Sequence, residues 1–153
     1  MKLSTKGRYG VRAMFDLAQH YGQGPIPLNS IAQRQNISEP YLEHLISSLR
    51  KGGLVRSIRG AQGGYMLAKK PSDITVGDII RILEGPLAPT ECVAEGEHAV
   101  QCENANNCIT RGVWEKVRNG LKEVMDSITL QDMCDKAAKL KEKDGDVDVY
   151  LSD

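Results

Sequence analysis

Three cysteines, Cys92, Cys102 and Cys108, stand within one short polar stretch of this 153-residue chain. Nine residues separate the first two and five the second two, and Gly96, Asn104, Asn106 and Asn107 lie among them. Neither helical nor strand periodicity runs through the stretch, so its backbone is free to turn all three thiols inward onto one metal centre. Zinc in a Cys₃His set, with His98 as the imidazole, is one reading. Structural zinc sites favour tight CxxC pairs, which this sequence lacks. The looser spacing suits iron–sulfur ligation by soft thiolates. Three unligated thiols are the bland alternative, opposed by the ease with which dense exposed thiols oxidise. Cys134 falls in a helical pattern and reads as a semi-buried small apolar side chain rather than a ligand.

The elements that would carry this loop are legible from hydrophobic periodicity. Ser4 or Thr5 can cap a first helix ending at Gln19 or His20, with Val11, Met14, Phe15, Leu17 and Ala18 on its apolar stripe. A glycine- and proline-bearing break at 22–27 precedes a short helix from Leu28, whose buried face is Ile31 and Ala32. Asn36, Ile37 and Ser38 form a turn into a helix with Ser38 as N-cap and Pro40 in its first turn. Leu42, Leu45, Ile46 and Leu49 give that helix an i, i+3, i+4, i+7 stripe, and Gly52-Gly53 stops it. Strand-like runs at 54–58 and 64–67 flank a glycine-rich turn, a β-hairpin signal. Another helix is expected over 72–84, facing the core through Val76, Ile79, Ile80 and Leu83. From Thr110 the pattern Val113, Trp114, Val117, Leu121, Val124, Met125, Ile128 describes a long amphipathic helix, read here as a dimerisation helix, and a second helix follows over 130–140. The alternative is that the long helix folds back on its own domain.

The fold class that results is mostly α with a small β-hairpin wing: a winged helix-turn-helix domain plus a long dimerisation helix. The organisation expected is a DNA-binding domain over 1–84, a cysteine-bearing loop over 85–109, the dimerisation helix and its successor over 110–142, and a disordered acidic tail over 143–153.

Formal net charge is zero, but the average conceals a division. Residues 1–70 carry eleven Lys or Arg against three acidic side chains, and the remainder carries nine against seventeen. A basic amino-terminal half fits a polyanionic partner. In a helix-turn-helix the second helix enters the major groove, so Glu39, Pro40, Tyr41, Glu43, His44 and Ser47, off the core stripe, face the bases. Glu43 can accept from cytosine N4, and His44 can donate to guanine or to phosphate. Arg59 and Gln62 sit near the wing tip, where Arg59 can enter a narrow minor groove. Lys6, Arg8, Tyr9, Arg50 and Lys51 suit phosphate contacts that position without reading sequence. Solvated helix residues with no base contact are the competing reading of Glu43 and His44.

Glycines 60, 63 and 64 join two strands rather than a strand to a helix, which excludes a dinucleotide fingerprint. No Ser/His/Asp constellation is supported, so enzymatic activity is not expected. The polar Met1 region and the absence of a membrane-spanning apolar run point to a cytoplasmic location without membrane partners.

The motifs Met1-Lys2-Leu3-Ser4-Thr5-Lys6-Gly7-Arg8-Tyr9, Ile37-Ser38-Glu39-Pro40-Tyr41-Leu42-Glu43, Leu49-Arg50-Lys51-Gly52-Gly53-Leu54-Val55 and Arg59-Gly60-Ala61-Gln62-Gly63-Gly64-Tyr65 resemble the IscR-like family of winged-helix regulators. The resemblance extends to about Met133. It implies a homodimer that binds double-stranded operator DNA, carries a 2Fe-2S cluster and represses iron–sulfur cluster assembly genes according to cluster status. Cluster donor or acceptor proteins are further candidate partners. Cys92, Cys102 and Cys108 match the family's three cysteine ligands, although its first two are usually closer together. The family's histidine three residues after the last cysteine is here Arg111, a permanently protonated guanidinium that cannot ligate iron. The resemblance leaves Glu43 and His98 as equal candidates for the fourth ligand, with His44 beside them, because relatives can draw a ligand from the partner subunit's DNA-binding domain. A nitric-oxide sensor with a 4Fe-4S cluster and a small redox or electron-transfer protein are the alternatives. A regulator of cysteine metabolism is also related, and the three cysteines argue against it.

Overall fold

The computed structural model describes residues 2–145. Among the described residues six α-helices and one two-stranded hairpin follow in order: α1 (Thr5–Gln19), α2 (Leu28–Gln35), α3 (Glu39–Lys51), β1 (Val55–Ile58), β2 (Gly64–Leu67), α4 (Val76–Glu84), α5 (Ile109–Ser127) and α6 (Leu130–Asp144). The arrangement of α1 to α4 with the hairpin is a winged helix-turn-helix. Among the described residues no helix is long and apolar enough to cross a membrane.

The core forms where the apolar stripes meet. Met14, Leu17, Ile31, Leu42, Leu45, Ile46, Leu49, Ile79 and Leu83 are buried in one cluster, so the stripes read from α1, α3 and α4 do face inward. Asn36 takes the left-handed conformation (φ 52°) that ends α2, a conformation its short polar side chain tolerates, and this sets the turn into α3. A carboxylate supports that corner. Asp16 of α1 is 1 % exposed and accepts from Arg34 Nε and Nη2 of α2 at 2.9 and 2.7 Å, and from Gln35 Nε2 at 3.0 Å.

The wing pairs antiparallel from Val55↔Leu67 to Ile58↔Gly64. Ile26 adds a third short pairing: its N–H donates to Tyr65 O and Tyr65 N–H returns to Ile26 O, both at 2.8 Å. Gly64 is required there, because a Cβ would lie 2.4 Å from the Ile26 carbonyl oxygen, a backbone atom that has no rotamer to escape into.

Two expectations need correction. The helix expected over 72–84 begins only at Val76. Pro71–Asp73 is a 3₁₀ turn, and Thr75 caps α4 by accepting from Asp78 N–H while the Asp78 carboxylate accepts from Thr75 N–H. The helix expected over 130–140 runs on to Asp144 and takes in the start of the predicted acidic tail, of which 146–153 lie outside the described residues. That helix also docks on the winged-helix domain. Leu130 and Ala137 are buried, and Met133 and Cys134 pack on the winged-helix core, with α6 against α1.

The α5–α6 corner is stitched to the start of α4 by backbone. Val76 N–H donates to Ile128 O and Leu130 N–H to Ile74 O, each at 2.9 Å. Arg81 of α4 then grips Asp126 of α5 with two parallel bonds of 2.8 and 2.7 Å. This pair raises the guanidinium's pKa and holds the Asp126 carboxyl below the usual carboxylate range, chiefly through the side-chain hydrogen bonds.

Candidate DNA interface and cysteine loop

With its stripe committed to the core, α3 leaves Glu39, Pro40, Glu43 and His44 exposed and Ser47 half-buried. The wing lies alongside. A groove of about 470 Å³ between them is lined by Glu43, Ser47 and Arg50 of α3 and by Ser57, Arg59 and Tyr65 of the wing. One carboxylate and two guanidiniums therefore share a groove. Gln62 and Lys51 are exposed near its two ends, and Lys6 and Arg8 are exposed on the first two turns of α1.

Two predicted contact residues are placed differently. Tyr9 and Tyr41 pack against the core and meet edge to face, 6.0 Å between centroids at 80°. The Arg12 guanidinium sits 5.1 Å over the Tyr9 ring and donates to the Gln35 carbonyl. These aromatics fix α1 against the start of α3; what they can still offer DNA is their exposed edges. Ser57 and Tyr65 were missed by sequence reasoning. They are cross-strand partners in the wing, and the hairpin register would have shown that they share the face next to Arg59.

Glu84, also missed, closes the other end of α1. Its Oε1 accepts from Ser4 N–H at 2.6 Å, from the Ser4 hydroxyl and from Gly7 N–H at 3.3 Å, so a carboxylate from α4 caps the helix that carries Lys6 and Arg8. The sequence suggested Ser4 or Thr5 as the cap; Ser4 holds the N-cap position, yet its own side chain accepts no capping bond.

The cysteine loop crosses from α4 to α5 through three 3₁₀ turns, Glu91–Val93, Gly96–His98 and Ala105–Asn107. Cys92 is half-buried, with its sulfur 3.1 Å from Thr90 Oγ1, whereas Cys102 and Cys108 are exposed. Cys108 occupies the N-cap of α5, its sulfur 3.2 Å from Thr110 Oγ1. The Thr110 hydroxyl first, then the Arg111 backbone N–H, pull the Cys108 thiol below its ordinary range, and the Arg111 charge adds to this. Arg111, where the family places a ligand, thus favours a thiolate three residues away and pairs with Glu115 at 3.3 Å. Burial pushes the Cys134 thiol up, in keeping with an apolar role.

These donors suit a soft metal centre in kind, and one of them is already biased toward the thiolate. They are not gathered: among the described residues no three His, Cys, Asp or Glu side chains stand close enough to hold one metal ion. Among the described residues neither Glu43, on the groove between α3 and the wing, nor His98, exposed beside a cavity of about 360 Å³ shared with Arg81 and Lys122, completes a three-donor group with the cysteines within one protomer. The reason lies in how the loop is tied. Cys108 joins the N-terminus of α5 directly, but Val93 O accepts from Arg118 Nη1 at 2.9 Å, ten residues further along the helix, roughly 15 Å of axial rise.

The polarity of α5 is inverted for a helix of a lone protomer. Arg118, Lys122 and Asp126 face its own chain, through Val93, Glu95 and Arg81. Ile109, Val113, Trp114, Val117 and Val124 remain exposed, and among the described residues α5 buries none of its own. At helical spacing those five apolar positions fall within roughly 140° of arc.

Comparison with known proteins was made on sequence and on structure. Residues 3–136 match the model of the Rrf2 family, described as an iron-dependent transcriptional regulator. The regulator CymR of Bacillus subtilis (strain 168) is 48% identical over 151 residues, covering 99% of this chain and 98% of that protein. Its solved structure, of the global cysteine regulator of B. subtilis, superposes with a TM-score of 0.72 at 51% identity, over 89% of this chain and 98% of the other. The structure of T. potens IscR gives a TM-score of 0.74 at 55% identity, over 92% and 91%. The regulator IscR of Aliivibrio salmonicida (strain LFI1238) is 42% identical over 133 residues, 87% of this chain and 77% of that protein. Similarity over most of the chain therefore sets IscR and CymR side by side.

Proposed function

Because the chain belongs to the Rrf2 family of DNA-binding transcriptional regulators, we propose that it acts as a homodimeric, cytoplasmic repressor of iron–sulfur biogenesis genes whose operator binding answers to a 2Fe-2S cluster. The observation that carries this is the donor set: three cysteines on one loop, the last at a helix N-cap whose surroundings favour the thiolate. Cys92, Cys102 and Cys108 would hold the cluster, with His98 or Glu43 supplying the fourth position. Bound there, the cluster supplies an oxidisable, exchangeable centre that reports iron–sulfur supply.

The chain's own residues do the rest. The Lys6, Arg8, Arg50 and Lys51 cations draw the protein onto DNA phosphates, and Glu43, His44 and Ser47 face the base edges. Arg59 enters the minor groove from the wing. The outward apolar face of α5 is covered by the same face of a second copy, which brings two recognition helices to two half-sites. Family membership replaces the electron-transfer alternative with DNA regulation.

A second reading follows from the likeness to CymR over nearly the whole chain and from thiols that are not gathered: the signal is cysteine supply rather than a cluster. Anaerobic purification with iron, sulfide and zinc assays distinguishes the two. Two irons and two sulfides per protomer, lost in Cys108→Ser, support the first reading. A colourless protein that still binds operator DNA supports the second, zinc alone indicates a structural metal, and four irons with four sulfides per protomer point to the nitric-oxide sensor.

A further inference from the structure

The cysteine loop is held to α5 by two side chains whose spacing bears directly on metal binding. Val93, 1 % exposed, packs under the loop while its carbonyl accepts from Arg118. Two residues on, Glu95 accepts from Lys122 Nζ at 2.8 Å and lies 3.9 Å from Arg118 Nε. Arg118 is itself 19 % exposed, so its contacts are shielded more than those of a free surface pair. Cys92 is adjacent to Val93 and is carried with it, whereas Cys108 is fixed at the other end, as N-cap of α5. Cys102 lies between them on an exposed span between two 3₁₀ turns. The two ends of the loop are thus fixed at different points of the helix, and among the described residues the three sulfurs do not stand around one metal position.

We propose that Arg118 and Lys122 are positioning residues of the cysteine loop, forming a latch on Val93 and Glu95 that must open for Cys92, Cys102 and Cys108 to gather about one metal centre. The consequence for metal binding rests on the cluster reading above; the latch itself does not. Its position also links the loop to the DNA-binding domain. Lys122 is one helical turn from Asp126, to which α4 is tied through Arg81, and α4 packs on both α1 and α3. Freeing Lys122 from Glu95 therefore alters the field at the joint between the loop helix and the recognition domain.

The test follows how often Cys92 meets Cys108. In the cluster-free full-length chain carrying Cys102→Ser and Cys134→Ser, diamide oxidises the two remaining thiols to a disulfide and is itself reduced to the hydrazine. Mass spectrometry after alkylation counts the bridge, and non-reducing electrophoresis separates bridges within a protomer from those between protomers. Arg118→Ala is expected to speed intramolecular bridging roughly tenfold, as removal of a shielded charge-assisted bond implies. Glu95→Gln should speed it about threefold, as a surface pair implies, and Lys122→Arg should leave it near the parent rate. Equal rates in all four proteins would overturn the latch. Anaerobic loading with ferrous iron and sulfide, with all cysteines restored, separates the other premise. If the parent and the latch variants alike take up no iron while the bridging rates differ, the latch stands and the cluster reading falls. Parent loading that the variants accelerate supports both.

Discussion

Removing either partner of the buried pair that braces α1 against α2 should cost very different amounts. In Arg34→Ala the Asp16 carboxylate stays 1 % exposed and keeps only the Gln35 amide, at 3.0 Å, as a side-chain hydrogen-bond donor, with the His20 ring 3.6 Å away. A buried charge stripped of its partner costs about 3 kcal/mol or more. In Asp16→Asn the orphaned group is instead Arg34, whose side chain is 41 % exposed and recovers its hydration from solvent. The amide also retains one acceptor for the three side-chain bonds now converging on Asp16, so the loss should be about 1.5 kcal/mol. Thermal denaturation followed by circular dichroism, at one fixed protomer concentration because a dimer's stability depends on it, should show Tm falling by ~6–12 °C for Arg34→Ala and by about half that for Asp16→Asn. An equal or reversed order would refute the reasoning, since it would mean that burial of the carboxylate does not set the cost.

Glu84→Ala removes the carboxylate that caps α1, and should lower stability by about 1 kcal/mol in urea denaturation, with fraying of the turn that bears Lys6 and Arg8. Arg50→Ala should weaken binding to specific and unrelated DNA alike, and should reduce the slope of log K against log salt by about 0.9 for each phosphate that Arg50 had neutralised. The Arg81–Asp126 pair gives a pH dependence of known sign. Because the folded-state pKa of Asp126 lies below the ordinary carboxylate value near 3.9, its contribution is complete above that value and is lost as pH falls through the folded value. Asp126→Asn should therefore lower Tm at pH 7 and have no effect at a pH low enough to protonate the native carboxyl.

Much of the architecture is local in origin, which is why it could be read from residue order. Leu42, Leu45, Ile46 and Leu49 all reach zero exposure because one helical period commits them to one face, and Gly53, at φ 82°, turns the chain out of the helix for a backbone reason that needs no partner. What escaped depends on contacts distant in sequence. Glu84 caps a helix 80 residues earlier, and no local pattern announces that. Thr75 was read as the interior of a helix because the Thr75/Asp78 capping box was overlooked, although this signal was present in the sequence. Docking of α6 on α1 follows from Leu130, with Met133 and Cys134 beside it, finding the same core, which a stripe alone cannot address. The cysteine spacing showed which donors exist but not that Arg118 and Lys122 hold one end of the loop away from the other.

The central claim is that the state of the cysteine loop governs operator binding, and one titration tests it. Fluorescent operator DNA is titrated at one salt concentration with anaerobically loaded protein, with the same protein after its cluster has been removed, and with Cys108→Ser. The account predicts that loaded and unloaded protein differ at least about tenfold in Kd on one operator, a coupling of roughly 1.4 kcal/mol, and that Cys108→Ser behaves as the unloaded protein in both preparations. A single Kd shared by all three, with iron and sulfide verified in the loaded sample, would contradict it.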